Sequence, residues 1–304
     1  MTVAPLLSVV VVAYDMDREL PRTLHSLAPG YQRDIGADDY EVVLVDNGSP
    51  RPLADGLAPF PGRLRTLRVD PAPPSPAHAA NLGVASATGD LVGLVIDGAR
   101  LASPGLLATA RLASRLAERP VITAPGYHLG EVPHMRAAED GWDAGAEDRL
   151  LERCGWQDDG YRLFGVSTFG GSSARGWFGP MGESSSLFLP RVLWEEVGGL
   201  DERFDLPGGG LVNHDLYRRA CSLPGVRLVS LLGEGTFHQI HGGAATSRRL
   251  TWDEMAAQYA AIRGQPFAPP ANDPLHVGTL PHVAVDHLVR SATWIAGRTS
   301  GGTR

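Results

Sequence analysis

The chain has 304 residues, 43% of them hydrophobic and 20% charged, and a formal net charge of -7, a globular composition that can bury a large core as one large domain or two modest ones. A sequence pI near 5.8 excludes the basic stripe that a nucleic acid or an anionic membrane would need. All 27 Lys+Arg residues are arginine, which removes Walker-type phosphate loops, pyridoxal Schiff bases and lysine general bases.

Met1–Leu7 has no basic n-region, and the apolar stretch after it meets Asp15 too soon to span a bilayer, so the expected location is cytoplasmic with no integral membrane segment. Ser8–Asp15 (SVVVVAYD), Glu41–Asp46 (EVVLVD) and Leu91–Asp97 (LVGLVID) are β-branched apolar runs that each end in an aspartate. Such runs read as strands buried on both faces, with the acids at the carboxyl edge, where open α/β sheets bind ligands. Between them, Leu20, Leu24 and Leu27 recur at helical spacing before Pro29-Gly30, and Leu64–Val69 reads as a further strand. Ser75-Pro76 caps an alanine-rich helix over Ala77–Ala87, where Asn81 and Gly83 imply close packing on the sheet. Ser103-Pro104 repeats that device ahead of a helix carrying Leu107, Leu112 and Leu116. Alternating strands and helices predict an α/β fold with a doubly wound, mostly parallel sheet. The missing GxGxxG after the first strand argues against a Rossmann dinucleotide fold.

From Gly126 to Gly182 periodicity weakens and Trp142, Trp156, Trp177 and Phe178 accumulate, as in a binding region or lid. Order returns with a strand at Ser185–Leu189, a helix at Arg191–Val197, the loop Gly198–Phe204 (GGLDERF), Gly208–Gly210, a helix near Asp215–Cys221 and a strand at Val226–Leu232. Phe237–Gly243 (FHQIHGG) follows, then helices near Glu254–Ile262 and Val283–Ile295 and a disordered Arg298–Arg304. Cys154 and Cys221 lack CxxC spacing and read as reduced structural thiols.

The order and spacing of Ser8–Tyr14, Glu41–Ser49, Asn81-Leu82-Gly83, Gly89-Asp90, Asp97 with Pro104-Gly105, Gly198–Phe204 and Gly208–Asp215 resemble the family-2 glycosyltransferases, over roughly Ser8 to Gly243. The resemblance implies a GT-A catalytic domain over 1–250, with a nucleotide-binding half (1–125) and an acceptor half (126–250), followed by a helical extension over 251–304. It implies an enzyme that moves a sugar from a nucleoside diphosphate donor to a hydroxyl acceptor by inversion, with a UDP-sugar favoured over GDP- or dTDP-sugars.

Carried over residue by residue, Ala13, Tyr14 and Asp46 line and read the base, with an Asx-turn as the competing role for Asp46, and Asn81 joins them at the nucleotide. Asp97 matches the first acid of the DXD motif, beside the ribose and a diphosphate-bound Mn2+ or Mg2+. Ala99 stands where the second acid belongs, so the metal takes other ligands, His241 or His238, or Arg100 partly replaces it. Asp215 matches the general base, with a helix cap as its competing role, and His214 stands where a second acid is common. Trp177, Glu183 and His214 fall at the acceptor end, and Asp201 and Glu202 hold their loop. The apolar C-terminal helix offers a contact for a second copy. Two other readings remain: a degenerate nucleotide-sugar-binding protein, which Ala99 and His214 favour, and a sugar nucleotidyltransferase, which the absence of a glycine-rich basic loop after the first strand disfavours.

Overall fold

The computed structural model describes residues 6–134, 141–242 and 250–300. In chain order the strands are β1 (Leu7–Ala13), β2 (Tyr40–Asp46), β3 (Leu64–Arg68), β4 (Leu91–Val95), β5 (Arg100–Ala102) and β6 (Pro120–Ala124), then β7 (Gly126–Leu129), β8 (Ser167–Phe169), β9 (Ser186–Pro190), β10 (Arg227–Leu232), β11 (Thr236–His238) and β12 (Leu275–Gly278). The helices are α1 (Leu20–Ser26), α2 (Ala77–Ser86), α3 (Leu106–Ala113), α4 (Ala144–Cys154), α5 (Arg191–Val197), α6 (Val212–Cys221), α7 (Trp252–Arg263) and α8 (Val285–Ser300).

Eight strands form one sheet in the order β12-β10-β6-β9-β4-β1-β2-β3. β9 runs against β4 and β6, and the remaining pairings are parallel. Every residue of β1, β2 and β4 is buried, because helices cover both faces. Fully burying a valine or leucine in this way contributes about 1.5–3 kcal/mol. The alanine-rich α2 lies close on the sheet, as its composition predicts: a Cβ on Gly83 would stand 2.4 Å from Val10 Cγ1. In α3 the buried residues are Leu106, Leu107, Ala110 and Ala113, whereas Leu112 is exposed and Leu116, expected on this helix, lies exposed beyond its end.

The stretch from Gly126 to Gly182 is not a structureless lid. β7 and β8 join β5 and β11 in a second sheet, order β5-β11-β7-β8, over an aromatic core that holds Tyr127, Trp156, Phe164, Phe169, Trp177 and Phe237. The C-terminal segment also differs from a purely helical extension, since β12 extends the main sheet at β10. α8 continues through Arg298 to Ser300; residues 301–304 and Gly243, which the expectations above included, lie outside the described residues. Both cysteines are free, with Cys221 buried and Cys154 partly so. Among the described residues, no helix is long and apolar enough to cross a membrane.

Candidate active site

The carboxyl edges of β1, β2 and β4 meet around Ala13. Ala13 is the register partner of Asp46, Asn47 N–H donates to Ala13 O at 2.9 Å, and Gly98 N–H donates to Val12 O at 2.7 Å. A Cβ on Gly98 would lie 2.6 Å from that of Ala13, so the turn after β4 closes on β1 only without a side chain there. Tyr14 is 53% exposed at this rim. Asp15 follows in the left-handed region, φ 52°, with its N–H donating to Ser49 Oγ at 2.9 Å.

Asp46 is buried and already engaged. Its carboxylate accepts from Ser49 N–H at 2.9 Å, Leu53 N–H at 3.2 Å and Arg68 Nη1 at 2.5 Å. Burial pushes the carboxyl up, but these donors outweigh it and hold Asp46 below the ordinary carboxylate range. Two carboxylate oxygens offer about four acceptor sites, so the turn role leaves about one for a ligand N–H. A cleft of about 420 Å³ lined by Met16, Leu20, Arg51 and Leu53 adjoins this edge.

Asp97 lies two residues past β4 and meets both candidate histidines. His238 Nε2 is 2.7 Å and His241 Nε2 3.3 Å from Asp97 Oδ2, and the two Nε2 atoms are 3.0 Å apart. These three side chains form the group among the described residues whose donor atoms converge tightly enough for a metal ion. One carboxylate and two imidazoles suit a divalent transition ion. Burial drives His238 down to about 3, leaving it in the neutral form that ligates metal. For Asp97 the burial cost is outweighed by His241 and His238, which hold it well below the usual range. Arg100 Nε stands 4.0 Å from Asp97 Oδ2, buried and without a hydrogen bond among the described residues. Both histidines and the arginine therefore stand beside Asp97.

The histidine loop is held from behind by residues that sequence reasoning did not single out. Between His238 and His241, Ile240 N–H donates to Glu147 Oε2 at 2.8 Å, and Ile240 O accepts from Arg18 Nη1 at 2.9 Å. Arg18 Nη2 also pairs with Glu147 Oε1 at 2.8 Å. Burial raises Glu147 to about 7 against these partners. His128 and His134 pack behind His238, each ring centroid 5.4 Å from it. His128 faces His238 because β7 pairs with β11 in that register, a neighbourhood no local spacing could reveal.

Several expected roles change in the folded chain. Asn81 spends its amide on the Gly198–Phe204 loop, accepting from Leu200 N–H at 2.8 Å and donating to Leu200 O at 2.9 Å, so it braces that loop rather than a nucleotide. Trp177 is 1% exposed, edge-on to Phe169, with its backbone tied to Ser291 and His276; it is core and unavailable for stacking. Asp215 is also 1% exposed. Arg263 donates to its Oδ1 at 2.5 Å and Oδ2 at 2.7 Å, and Arg219 to Oδ2 at 2.7 Å. A carboxylate so clamped is a structural ion pair rather than a base free to meet an acceptor. Asp201 holds its own loop, pairing with Arg203 at 2.7 Å and with Arg263 at 2.8 Å.

Glu183 and His214 do come together. His214 Nδ1 is 3.4 Å from Glu183 Oε2, His214 Nε2 is 3.4 Å from Ser172 Oγ, and Ser172 Oγ donates to Glu183 Oε1 at 2.9 Å. Glu183 lies two residues before Ser185, and a Cβ on Gly126 would stand 2.4 Å from Ser185 Oγ and 3.5 Å from Arg100 Nη1, so this segment approaches the arginine beside Asp97. Beside His214 stand Phe267, centroid 5.2 Å away, and Trp252, at 6.0 Å. Trp252 is 53% exposed, in contrast to Trp177.

Residues 8–136 match the family model described as glycosyl transferase family 2, a span that includes β1, β2, β4 and Asp97. No curated protein matches the chain. Among solved structures, the mannosyltransferase PcManGT from Pyrobaculum calidifontis, in complex with GDP-Man and Mn2+, is similar at 18% identity and a TM-score of 0.52, over 100% of this chain and 77% of that one. TarS from S. aureus, residues 1–349 in complex with UDP-GlcNAc, is similar at 13% identity and a TM-score of 0.51, over 95% of this chain and 71% of that one. At these identities the likeness is one of fold. The family match thus covers residues 8–136, and the chain shares the GT-A fold of these two glycosyltransferases.

Proposed function

We propose that the protein transfers a sugar from a nucleoside diphosphate donor to a hydroxyl acceptor, with the diphosphate held at Asp97, His238 and His241. The observation that carries this reading is the convergence of those three side chains at the carboxyl edge of β4, beside Ala13, Tyr14 and Asp46. A divalent ion bound there supplies positive charge opposite the departing diphosphate. Arg100 adds a fixed positive charge beside Asp97, which stabilises the same developing negative charge. Tyr14 offers an exposed ring at the rim for the base. Asp46 fixes the turn after β2 and keeps an acceptor site for a ring N–H.

The arrangement supports a transferase over the two other readings. A degenerate binder is favoured by Ala99, but the histidines contribute the ligands that the missing second acid does not. A nucleotidyltransferase would need basic residues in a loop after β1, and that turn carries Tyr14, Asp15, Met16 and Asp17 before Arg18, whose guanidinium is committed to Glu19, Glu147 and Asp148. Structural neighbours hold GDP-Man with Mn2+ and UDP-GlcNAc, so both bases belong in a first donor set. A hydrolysis and transfer screen of UDP-, GDP- and dTDP-sugars with Mn2+, Mg2+ or chelator tests the reading. Metal-stimulated release of a nucleoside diphosphate is expected, and the absence of turnover with every donor would overturn it.

A further inference from the structure

Resting on the transfer reading above, we propose that His214, oriented by Glu183, takes the proton from the acceptor hydroxyl, and that the acceptor is a sugar whose ring lies against Trp252. The carboxylate first expected to act as base, Asp215, is closed in by Arg219 and Arg263 on both oxygens. One residue earlier in α6, His214 turns to the other side and meets Glu183, on the segment whose Ser185 lies, with Arg100, against Gly126. A proton on Nδ1 faces Glu183 and leaves Nε2 as the acceptor atom. The 3.4 Å contact of Nε2 with Ser172 is too long to be a strong hydrogen bond and yields to a closer hydroxyl. Nδ1 is buried with no hydrogen bond in the free protein, the kind of contact that tightens when substrate arrives.

In the step, the acceptor O–H bond breaks and its proton passes to His214 Nε2 while the oxygen bonds to the anomeric carbon. The bond from that carbon to the diphosphate oxygen breaks, its electron pair leaving on the nucleoside diphosphate, and the proton then passes to water. Among the described residues the charged group recorded against the ring is Glu183, and Phe267 and Trp252 form apolar walls. An exposed tryptophan beside a base is suited to the apolar face of a sugar ring.

The test uses the full chain with Mn2+, GDP-mannose and UDP-N-acetylglucosamine as donors and p-nitrophenyl glycosides as acceptors. His214→Gln and His214→Ala are expected to lower kcat by about 100-fold or more, with UDP or GDP binding by calorimetry within about twofold. Imidazole is expected to restore part of the His214→Ala rate, which it would not do for a fold defect. Glu183→Gln is expected to lower kcat with little change in acceptor KM, with Glu183→Asp partly restoring it, and Trp252→Ala to raise acceptor KM with kcat nearly kept. Wild-type kcat in folded His214→Gln, or a His214→Ala defect that imidazole leaves untouched, overturns the base assignment while leaving the transfer reading intact. No turnover by the unmodified protein overturns both.

Discussion

At the scale of single residues, burial separates structural acids from chemical ones. Asp215 and Asp97 both end up enclosed, but Asp215 faces two arginines and Asp97 faces two histidines. Removing one member of a buried ion pair strands the other charges, so Asp215→Asn should cost about 3–5 kcal/mol, read as a lowered midpoint of chemical denaturation. The folded variant, kept at low temperature, should still turn over donor; loss of turnover at full stability would return the base role to Asp215. Glu234 makes a second residue-scale prediction. Burial raises its carboxyl to about 7, against hydrogen bonds from Ser103 and Tyr161. The folded state therefore binds this proton more tightly than the unfolded chain. The stability it contributes is fully present below about pH 4.5 and is lost as pH rises through about 7. Glu234→Gln should flatten the fall in stability across that window, and an unchanged pH profile would contradict the assignment. The strand-ending acids were legible because an apolar run with a terminal aspartate is a local pattern. Their partners were not: Arg263 lies 48 residues from Asp215 and comes into contact only when α7 docks.

At the scale of elements, the β4 turn, the end of β11 and the loop after it bring Asp97, His238 and His241 together, and α4 braces that loop. Glu147 and Arg18 hold both backbone polar groups of Ile240, which sets the distance between His238 and His241. Outer partners of this kind typically contribute about 10- to 100-fold to metal affinity, so Glu147→Gln should weaken Mn2+ binding by that order in a calorimetric titration while the far-UV circular dichroism is preserved. Unaltered affinity would show that the loop holds itself. The major strands and α2, α5 and α6 followed from local sequence patterns, although none of these helices has a side-chain N-cap hydrogen bond. The second sheet did not, because its strands of three or four residues are too short to display alternation. α4 was missed as well, although its Asp143 cap, accepting from Ala146 N–H at 2.7 Å, and its Gly155 end are recognisable signals.

At the scale of the whole molecule, the C-terminal segment packs into the rest of the chain. α7 supplies Arg263 to Asp215 and Asp201, β12 extends the main sheet, and α8 closes the aromatic core through Ser291 at Trp177 and His287 at Phe164 O. A chain ending at Gly264 should therefore lose cooperative thermal unfolding and shift its tryptophan fluorescence to the red, as Trp177 meets water; an intact transition would mark residues 265–304 as a separate appendage. The order of motifs from Ser8 to Asp215 made the GT-A fold legible, whereas the contacts of His214 with Glu183 and Trp252 arise only in three dimensions. The proposed chemistry requires Asp97, His238 and His241 to hold a divalent ion against a nucleoside diphosphate. Calorimetric titration of UDP and GDP into the wild-type protein and Asp97→Asn, with and without Mn2+, measures this: binding that needs Mn2+ in the wild type and is lost in the variant is predicted, and equal, metal-independent binding by both proteins would contradict it.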